Sequence, residues 1–185
     1  MSNPNIASRF DEIYNSTSKA VLTYITVRCG CVADIDDIFQ ETYLELCQLM
    51  SKRGAEYVTN EKALVLRIAK QKISKYYKFR ERVRNLTASL AFDEDGDKID
   101  ISELEADAFL TEDFVVNQML LEDARLFIIQ KPEIVKKVYY LFYDVGLTIP
   151  EIAKELSISE SSVKNKLYRT LKELRNLLNR KGELL

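Results

Sequence analysis

The sequence predicts an all-α protein made of two small helical domains joined by an acidic linker, and three observations carry that expectation. Five Gly and three Pro in 185 residues supply too few turn formers for many short strands. Apolar residues recur at three- and four-residue steps on both sides of the middle of the chain, the spacing of helices that bury one stripe. The charge is segregated. Residues 1–85 carry 14 basic and 10 acidic side chains, residues 86–123 carry 1 and 12, and residues 124–185 carry 12 and 7. The net charge of −2, which at first argues against a nucleic-acid partner, thus averages two basic pieces and a strongly acidic connector. The expected division is 1–85 for the first domain, 86–113 for the flexible linker and 114–185 for the second domain.

Each helix has its own warrant. In the first, Phe10, Ile13, Tyr14, Thr17, Val21, Tyr24 and Ile25 share one face, and Gly30 with the following Cys-Val-Ala stretch ends it. A second starts near Asp34, whose carboxylate is placed to cap free amides, and runs to about Met50. A third runs from about Asn60 to Asn85 without Gly or Pro. From Leu86 to Asp113 like-charge repulsion and few apolar anchors read as linker, with a turn or short helix near Ser102. Four more helices are expected at about 114–130, 132–144, 149–156 and 160–179, with Gly146 as a left-handed stop.

Composition excludes several functions. With no His, imidazole bases, His-based triads and His-containing zinc sites are ruled out. Cys29, Cys31 and Cys47 are one ligand short of a four-thiolate zinc site and suit buried or half-buried thiols in a reducing compartment. No Gly-rich phosphate cradle or metal constellation is present, so no catalytic, cofactor or metal site is expected. The N-terminus lacks the charged start and apolar core of a signal peptide, and no apolar run approaches the roughly 18 residues needed to span a bilayer. A cytoplasmic protein without membrane insertion is expected.

The sharpest motif lies at 148–175. Thr148-Ile149-Pro150-Glu151 is a capping box with Pro in the first turn. A short helix with Ile152, Ala153 and Leu156 inward is followed by a tight Ser157-Ile158 turn, and Ser159 caps the next helix. There Val163, Leu167, Thr170, Leu174 and Leu177 form the apolar line, while Ser161, Asn165, Tyr168, Arg169 and Lys172 face away, flanked by Ser162, Lys164 and Lys166. This is a helix-turn-helix with a polar, basic second helix. Short hydroxyls and an amide suit base edges, and the cations suit phosphates.

Two further faces carry chemistry. Over residues 67–84 the third helix holds Arg67, Lys70, Lys72, Lys75, Lys78, Arg80, Arg82 and Arg84 against one acid, Glu81. Its polar side presents Arg67, Gln71, Ser74, Lys75, Lys78 and Arg82, opposite Val65, Ile68, Ala69, Ile73, Tyr76 and Val83. Such a stripe fits a nucleic-acid backbone, with Tyr76, Tyr77 and Phe79 near enough to stack on exposed bases. The second helix buries Ile35, Ile38, Phe39, Thr42, Leu46, Leu49 and Met50, and turns Asp37, Glu41, Leu44 and Gln48 outward with Asp36 and Gln40 adjacent. An acidic face with a leucine at its centre suits a basic protein partner.

These residues resemble the extracytoplasmic-function group of sigma-70-type RNA polymerase sigma factors. DIDDIFQETYLELCQ (34–48) looks like the region 2 helix that docks on the polymerase clamp. LVLRIAKQKISKYYKFRER (64–82) looks like the next helix, which engages the −10 element, and LTIPEIAKELSISESSVKNKLYRTLKELRNLL (147–178) looks like region 4, which reads the −35 element. The chain departs from the usual pattern at Leu64, where Trp is common, at Gln71, where Asn is usual, and at Ser157, where Gly is frequent.

The resemblance implies core polymerase, promoter DNA and an anti-sigma factor as partners. It implies polymerase binding by Asp36, Asp37, Gln40, Glu41, Leu44 and Gln48. It implies −10 contacts by Arg67, Lys70, Gln71, Ser74, Lys75, Lys78 and Arg82, with the loop from about Glu56 to Glu61 holding flipped bases. It implies −35 contacts by Ser161, Ser162, Lys164, Asn165, Lys166, Tyr168 and Arg169. The acidic linker would thread the basic channels of polymerase as a polyanion. The competing readings are a stand-alone helix-turn-helix regulator, which predicts a dimer on a palindromic site, and a helical adaptor whose basic faces meet protein.

Overall fold

The computed structural model describes residues 4–90 and 124–182, and within them every regular element is helical. Helix α1 spans Pro4–Arg28, α2 Ile35–Arg53 and α3 Glu61–Leu90. Residues 124–129 form α4, followed by α5 at Glu133–Tyr139, α6 at Ile149–Leu156 and α7 at Glu160–Gly182. The all-α class is as the sequence predicts. Two boundaries differ. Helix α3 continues to Leu90, past the expected end at Asn85, because no Gly or Pro stops it before the acids begin. The helix expected over 132–144 is α-helical only to Tyr139, and Tyr140–Asp144 widen into a π-helical turn. The expected linker from residue 91 onward, with the turn near Ser102, lies outside the described residues.

Helices α1, α2 and α3 close on one core of Ile13, Val21, Ile25, Ile35, Ile38, Leu46, Met50, Val65, Ile68 and Ala69. Each large aliphatic side chain there contributes about 1.5–3 kcal/mol by leaving water. An aromatic group of Phe10, Tyr14, Phe39 and Tyr43 extends it, with Tyr14 and Tyr43 rings 4.8 Å apart. The Tyr43 hydroxyl, absent from the expected buried stripe, pairs with that of Thr17 at 2.8 Å, and burial pushes its pKa up to about 12.

The second core joins α5, α6 and α7 through Val138, Leu141, Val145, Leu147, Ile152, Ala153, Val163 and Leu167. Tyr139 locks it by donating to the Leu167 carbonyl at 2.9 Å. The π-helical turn ends through Val145 N–H on the Tyr140 carbonyl at 3.0 Å and Leu147 N–H on the Leu141 carbonyl at 2.9 Å. Gly146 takes φ +70° there, a conformation that favours residues without Cβ. The two pieces touch: Leu22 on α1 and Tyr140 pack against both cores.

Asp34 does not act as the expected cap. Its backbone is already helical, at φ −86° and ψ −8°, and it makes no side-chain cap bond. Its buried carboxylate turns instead to α3. There it accepts from Tyr76 at 3.0 Å, Tyr77 at 3.2 Å and Arg80 at 2.9 and 3.1 Å. Of the cysteines, Cys29 is buried and Cys31 half-buried, but Cys47 is exposed, contrary to expectation.

Candidate nucleic-acid and protein-docking faces

The helix-turn-helix is assembled by local hydrogen bonds that the sequence encodes. Thr148 N–H and its hydroxyl both donate to Glu151 Oε2 at 2.8 Å, which holds the Glu151 carboxyl below its ordinary pKa. Ser157 adopts φ +54° and ψ +44°, and the next amide, Ile158 N–H, returns to the Ala153 carbonyl at 3.0 Å. The chain thereby leaves α6 through a left-handed stop of the Schellman kind. Ser159 Oγ then accepts from Ser162 N–H at 3.1 Å and starts α7.

On α7, Val163, Leu167 and Thr170 are buried, so the opposite face is fixed outward. Ser161, Lys164, Asn165, Tyr168 and Arg169 are exposed, and Ser162 and Lys166 half-buried. Tyr168 is 63% exposed. Arg169 is not a free cation: its Nε meets Glu173 Oε1 at 3.0 Å, and Lys131 reaches the other oxygen of Glu173 at 2.7 Å.

Helix α3 sorts its cations in a way the sequence does not reveal. Lys72 lies 2.8 Å from Glu41 and 3.0 Å from Glu45 on α2, and Arg80 is paired with Asp34. Arg67, Lys70, Lys75 and Lys78 are exposed, with Gln71 and Ser74 beside them, while the Arg82 side chain lies outside the described residues. The expectation that Tyr76 and Tyr77 stack on bases is corrected. Both hydroxyls are held by Asp34, and Tyr77 also accepts from Gly30 N–H at 2.6 Å. Phe79 alone of the three aromatics is exposed, at 68%.

At the start of α3, Tyr57, Thr59, Asn60, Ala63, Leu64 and Arg67 line an open hollow of about 360 Å³. Asn60 Oδ1 accepts from Ala63 N–H at 3.0 Å and caps the helix, and the Arg53 guanidinium sits 4.7 Å above the Tyr57 ring. Tyr57, Thr59 and Asn60 fall within the loop from about Glu56 to Glu61 that the resemblance implies, although none of them was singled out there.

On α2, Asp36, Asp37, Gln40, Glu41, Leu44 and Gln48 are all exposed. Leu44, 56% exposed, stands across a second groove of about 510 Å³ from Phe79, with Asp37 and Glu41 on one wall and Lys72 and Lys75 on the other. Two members of this face are engaged: Glu41 by Lys72 at 2.8 Å, and Asp36 by the Tyr140 hydroxyl at 3.1 Å. Among the described residues no group of three or more Cys, Asp or Glu is placed to hold a metal ion. No helix among them is long and apolar enough to cross a membrane.

Capped α6, the left-handed turn at Ser157 and the polar outer face of α7 define a helix-turn-helix of the kind that enters a DNA groove. Residues 132–174, from the start of α5 well into α7, match the family model for sigma-70, region 4. This part of the chain is therefore similar to region 4 of sigma-70 proteins, a segment with a role in DNA binding and transcription initiation. No curated protein matches the chain.

Proposed function

We propose that this chain is an RNA polymerase sigma factor of the sigma-70 family, within its extracytoplasmic-function group. In this reading it works in the cytoplasm without catalysis of its own, directing core polymerase to promoters. The observation that carries the reading is the region 4 match over a helix-turn-helix whose exposed face is Ser161, Asn165 and Tyr168, with Lys164 beside them. Sigma function requires a polymerase-docking surface besides a DNA reader, and the exposed acids around Leu44 on α2 supply one of suitable chemistry for a basic partner.

The proposed mechanism divides the work. Asp36, Asp37, Gln40, Glu41, Leu44 and Gln48 dock on core polymerase. Ser161, Ser162 and Asn165 read base edges of the −35 element in the major groove, while Lys164, Lys166 and Arg169 hold phosphates and Tyr168 contributes an aromatic edge. Arg67, Lys70, Lys75, Lys78 and Arg82 follow the −10 backbone, with Gln71 and Ser74 between them. The hollow at Tyr57–Arg67 takes a non-template base turned out of the stack, which offsets part of the unpairing cost. Once both readers sit on one polymerase, two modest affinities multiply through effective concentration. An anti-sigma factor belongs to this reading as a regulatory partner.

The rival is a stand-alone helix-turn-helix regulator that binds an operator without polymerase. It leaves the acidic α2 face and the free cations of α3 without a role. Equilibrium binding to purified core polymerase separates the two. Complex formation below micromolar concentration, weakened at least tenfold by reversing charge at Asp37 and Glu41, is the expected result. A dimer on a palindromic site, indifferent to polymerase, would replace the sigma reading with its rival.

A further inference from the structure

Phe79 is the large apolar side chain that α3 leaves standing in solvent, at 68% exposure, and the proposed DNA contacts make no use of it. It lies off the basic stripe. At about 100° per residue, Phe79 sits roughly 110° from the middle of the face formed by Arg67, Gln71, Ser74 and Lys78. That is the side of Lys72, which reaches across to α2 and meets Glu41 at 2.8 Å and Glu45 at 3.0 Å. There Phe79 lines the same groove as Asp37, Ile38, Gln40, Glu41 and Leu44.

Asp34 pairs with Arg80 and Glu41 with Lys72, so α2 and α3 run antiparallel. Phe79 is therefore level with the first turn of α2, and Leu44 lies about eight residues farther along, roughly 13 Å at the rise of a helix. The two exposed apolar side chains mark the ends of the groove, and buried Ile38 and half-buried Tyr76 line it between them. The groove is set before any partner arrives. Tyr76 donates to Asp34 at 3.0 Å, Arg80 next to Phe79 holds the same carboxylate, and Lys72 ties α3 to α2. A surface ordered in advance loses less entropy on binding. Lys72 neutralises Glu41, which leaves Asp37 as the charge offered near Phe79. A carboxylate there repels the phosphates that a stacked base would bring with it, and attracts a basic protein side chain.

We propose that Phe79 belongs to polymerase docking rather than to the DNA reader. The groove between α2 and α3 takes an amphipathic helix of core polymerase, whose apolar side chains, about two to three turns apart, cover Leu44 and Phe79 while a basic one between them meets Asp37. The proposal rests on the sigma-factor reading above and carries its docking face from α2 onto α3. The chemistry of the occupant follows from the groove. Its length suits one face of a helix laid along it, its charge suits a basic partner, and it is continuous with Asp37, Gln40, Glu41 and Leu44 of the docking face. Large side chains that a partner strips of water in a preformed groove are the ones that dominate binding energy.

The test compares the full chain with Phe79→Ala and Phe79→Leu, both at an exposed position outside the core, with native helicity and a cooperative thermal transition certifying the fold. Equilibrium binding to purified core polymerase is read beside fluorescence anisotropy on a mixed-sequence single-stranded oligonucleotide. Phe79→Ala is expected to weaken core binding by about tenfold or more, and Phe79→Leu, which keeps the apolar bulk without the ring, to stay within about threefold of the parent. Neither should change oligonucleotide binding. Parental core affinity in Phe79→Ala overturns the proposal, and the sigma-factor reading survives it if charge reversal at Asp37 and Glu41 still weakens docking. Oligonucleotide binding lost in both variants, with core binding intact, makes Phe79 a base-stacking residue and likewise overturns the proposal. Failure of the unaltered chain to bind core polymerase sinks the sigma-factor reading and the groove with it.

Discussion

One guanidinium nitrogen of Arg80 lies 2.9 and 3.1 Å from the two carboxylate oxygens of Asp34. Asp34 is buried at the start of α2 and Arg80 lies twenty residues into α3, so the pair holds the middle of α3 across the entrance to α2. Tyr76 and Tyr77 complete the shell around the same carboxylate. The basic stripe is therefore positioned through an acid that engages one of its own cations.

Asp34→Ala is expected to destabilise the N-terminal piece by about 2–4 kcal/mol, since it strips three donors of their buried acceptor. Arg80→Ala should cost only about 1 kcal/mol, because the Arg80 head is more than half exposed and water screens the pair. Urea denaturation followed by circular dichroism measures both. Equal costs for the two variants would contradict the assigned asymmetry.

Ser157 carries the one positive φ of a non-glycine residue among the described residues. Gly adopts that conformation without the Cβ contact that Ser must accommodate. Ser157→Gly should therefore stabilise the helix-turn-helix by about 0.5–1 kcal/mol, and Ser157→Val should destabilise it. Melting temperatures of the two variants moving in the same direction would contradict the turn.

The capping box gives a pH dependence of defined sign. Hydrogen bonds from the Thr148 amide and then its hydroxyl depress the folded-state pKa of Glu151. The charge of Glu151 thus contributes stability that is fully present above the ordinary glutamate value and lost as pH falls through the depressed one. Glu151→Gln keeps the cap geometry without the charge. Its stability deficit relative to the parent should be present above the ordinary glutamate range and shrink as pH falls below it. A deficit that does not vary with pH would mean that the charge is irrelevant.

On α7, positions divide by the kind of contact they make. Asn165→Ala should lower discrimination between bases by about 1–3 kcal/mol, whereas Lys164→Ala should weaken all sequences alike and reduce the salt slope by about 1. Glu173→Gln should raise nonspecific affinity by releasing Arg169. Fluorescence anisotropy on matched and scrambled duplexes across a salt series reads all three. Identical losses on both duplexes for Asn165→Ala would remove it from base reading.

Much of the helical framework was legible because it rests on local rules. Thr148, Glu151, Ser157 and Ser159 make their bonds within a few residues of themselves, so sequence order alone implies them. The exposed face of α2 followed from periodicity, because burying Ile35, Ile38, Thr42 and Leu46 leaves Leu44 nowhere to go but outward. Long-range partners were not legible. Nothing in the order of residues says that Lys72 belongs to Glu41 and Glu45, that Tyr76 and Tyr77 serve Asp34, or that Tyr140 meets Asp36 more than a hundred positions away. Pattern counts eight cations over residues 67–84 of α3, and tertiary pairing withdraws two of them, Lys72 and Arg80, from the nucleic-acid stripe.

Run-off transcription with purified core polymerase, on templates carrying a promoter selected with this protein, is the most direct test of the central claim. The account predicts discrete transcripts that require the protein, that vanish on reversing charge at Asp37 and Glu41, and that weaken when Asn165 is replaced. Transcription unaffected by the protein, with core polymerase present and the chain folded, would contradict it.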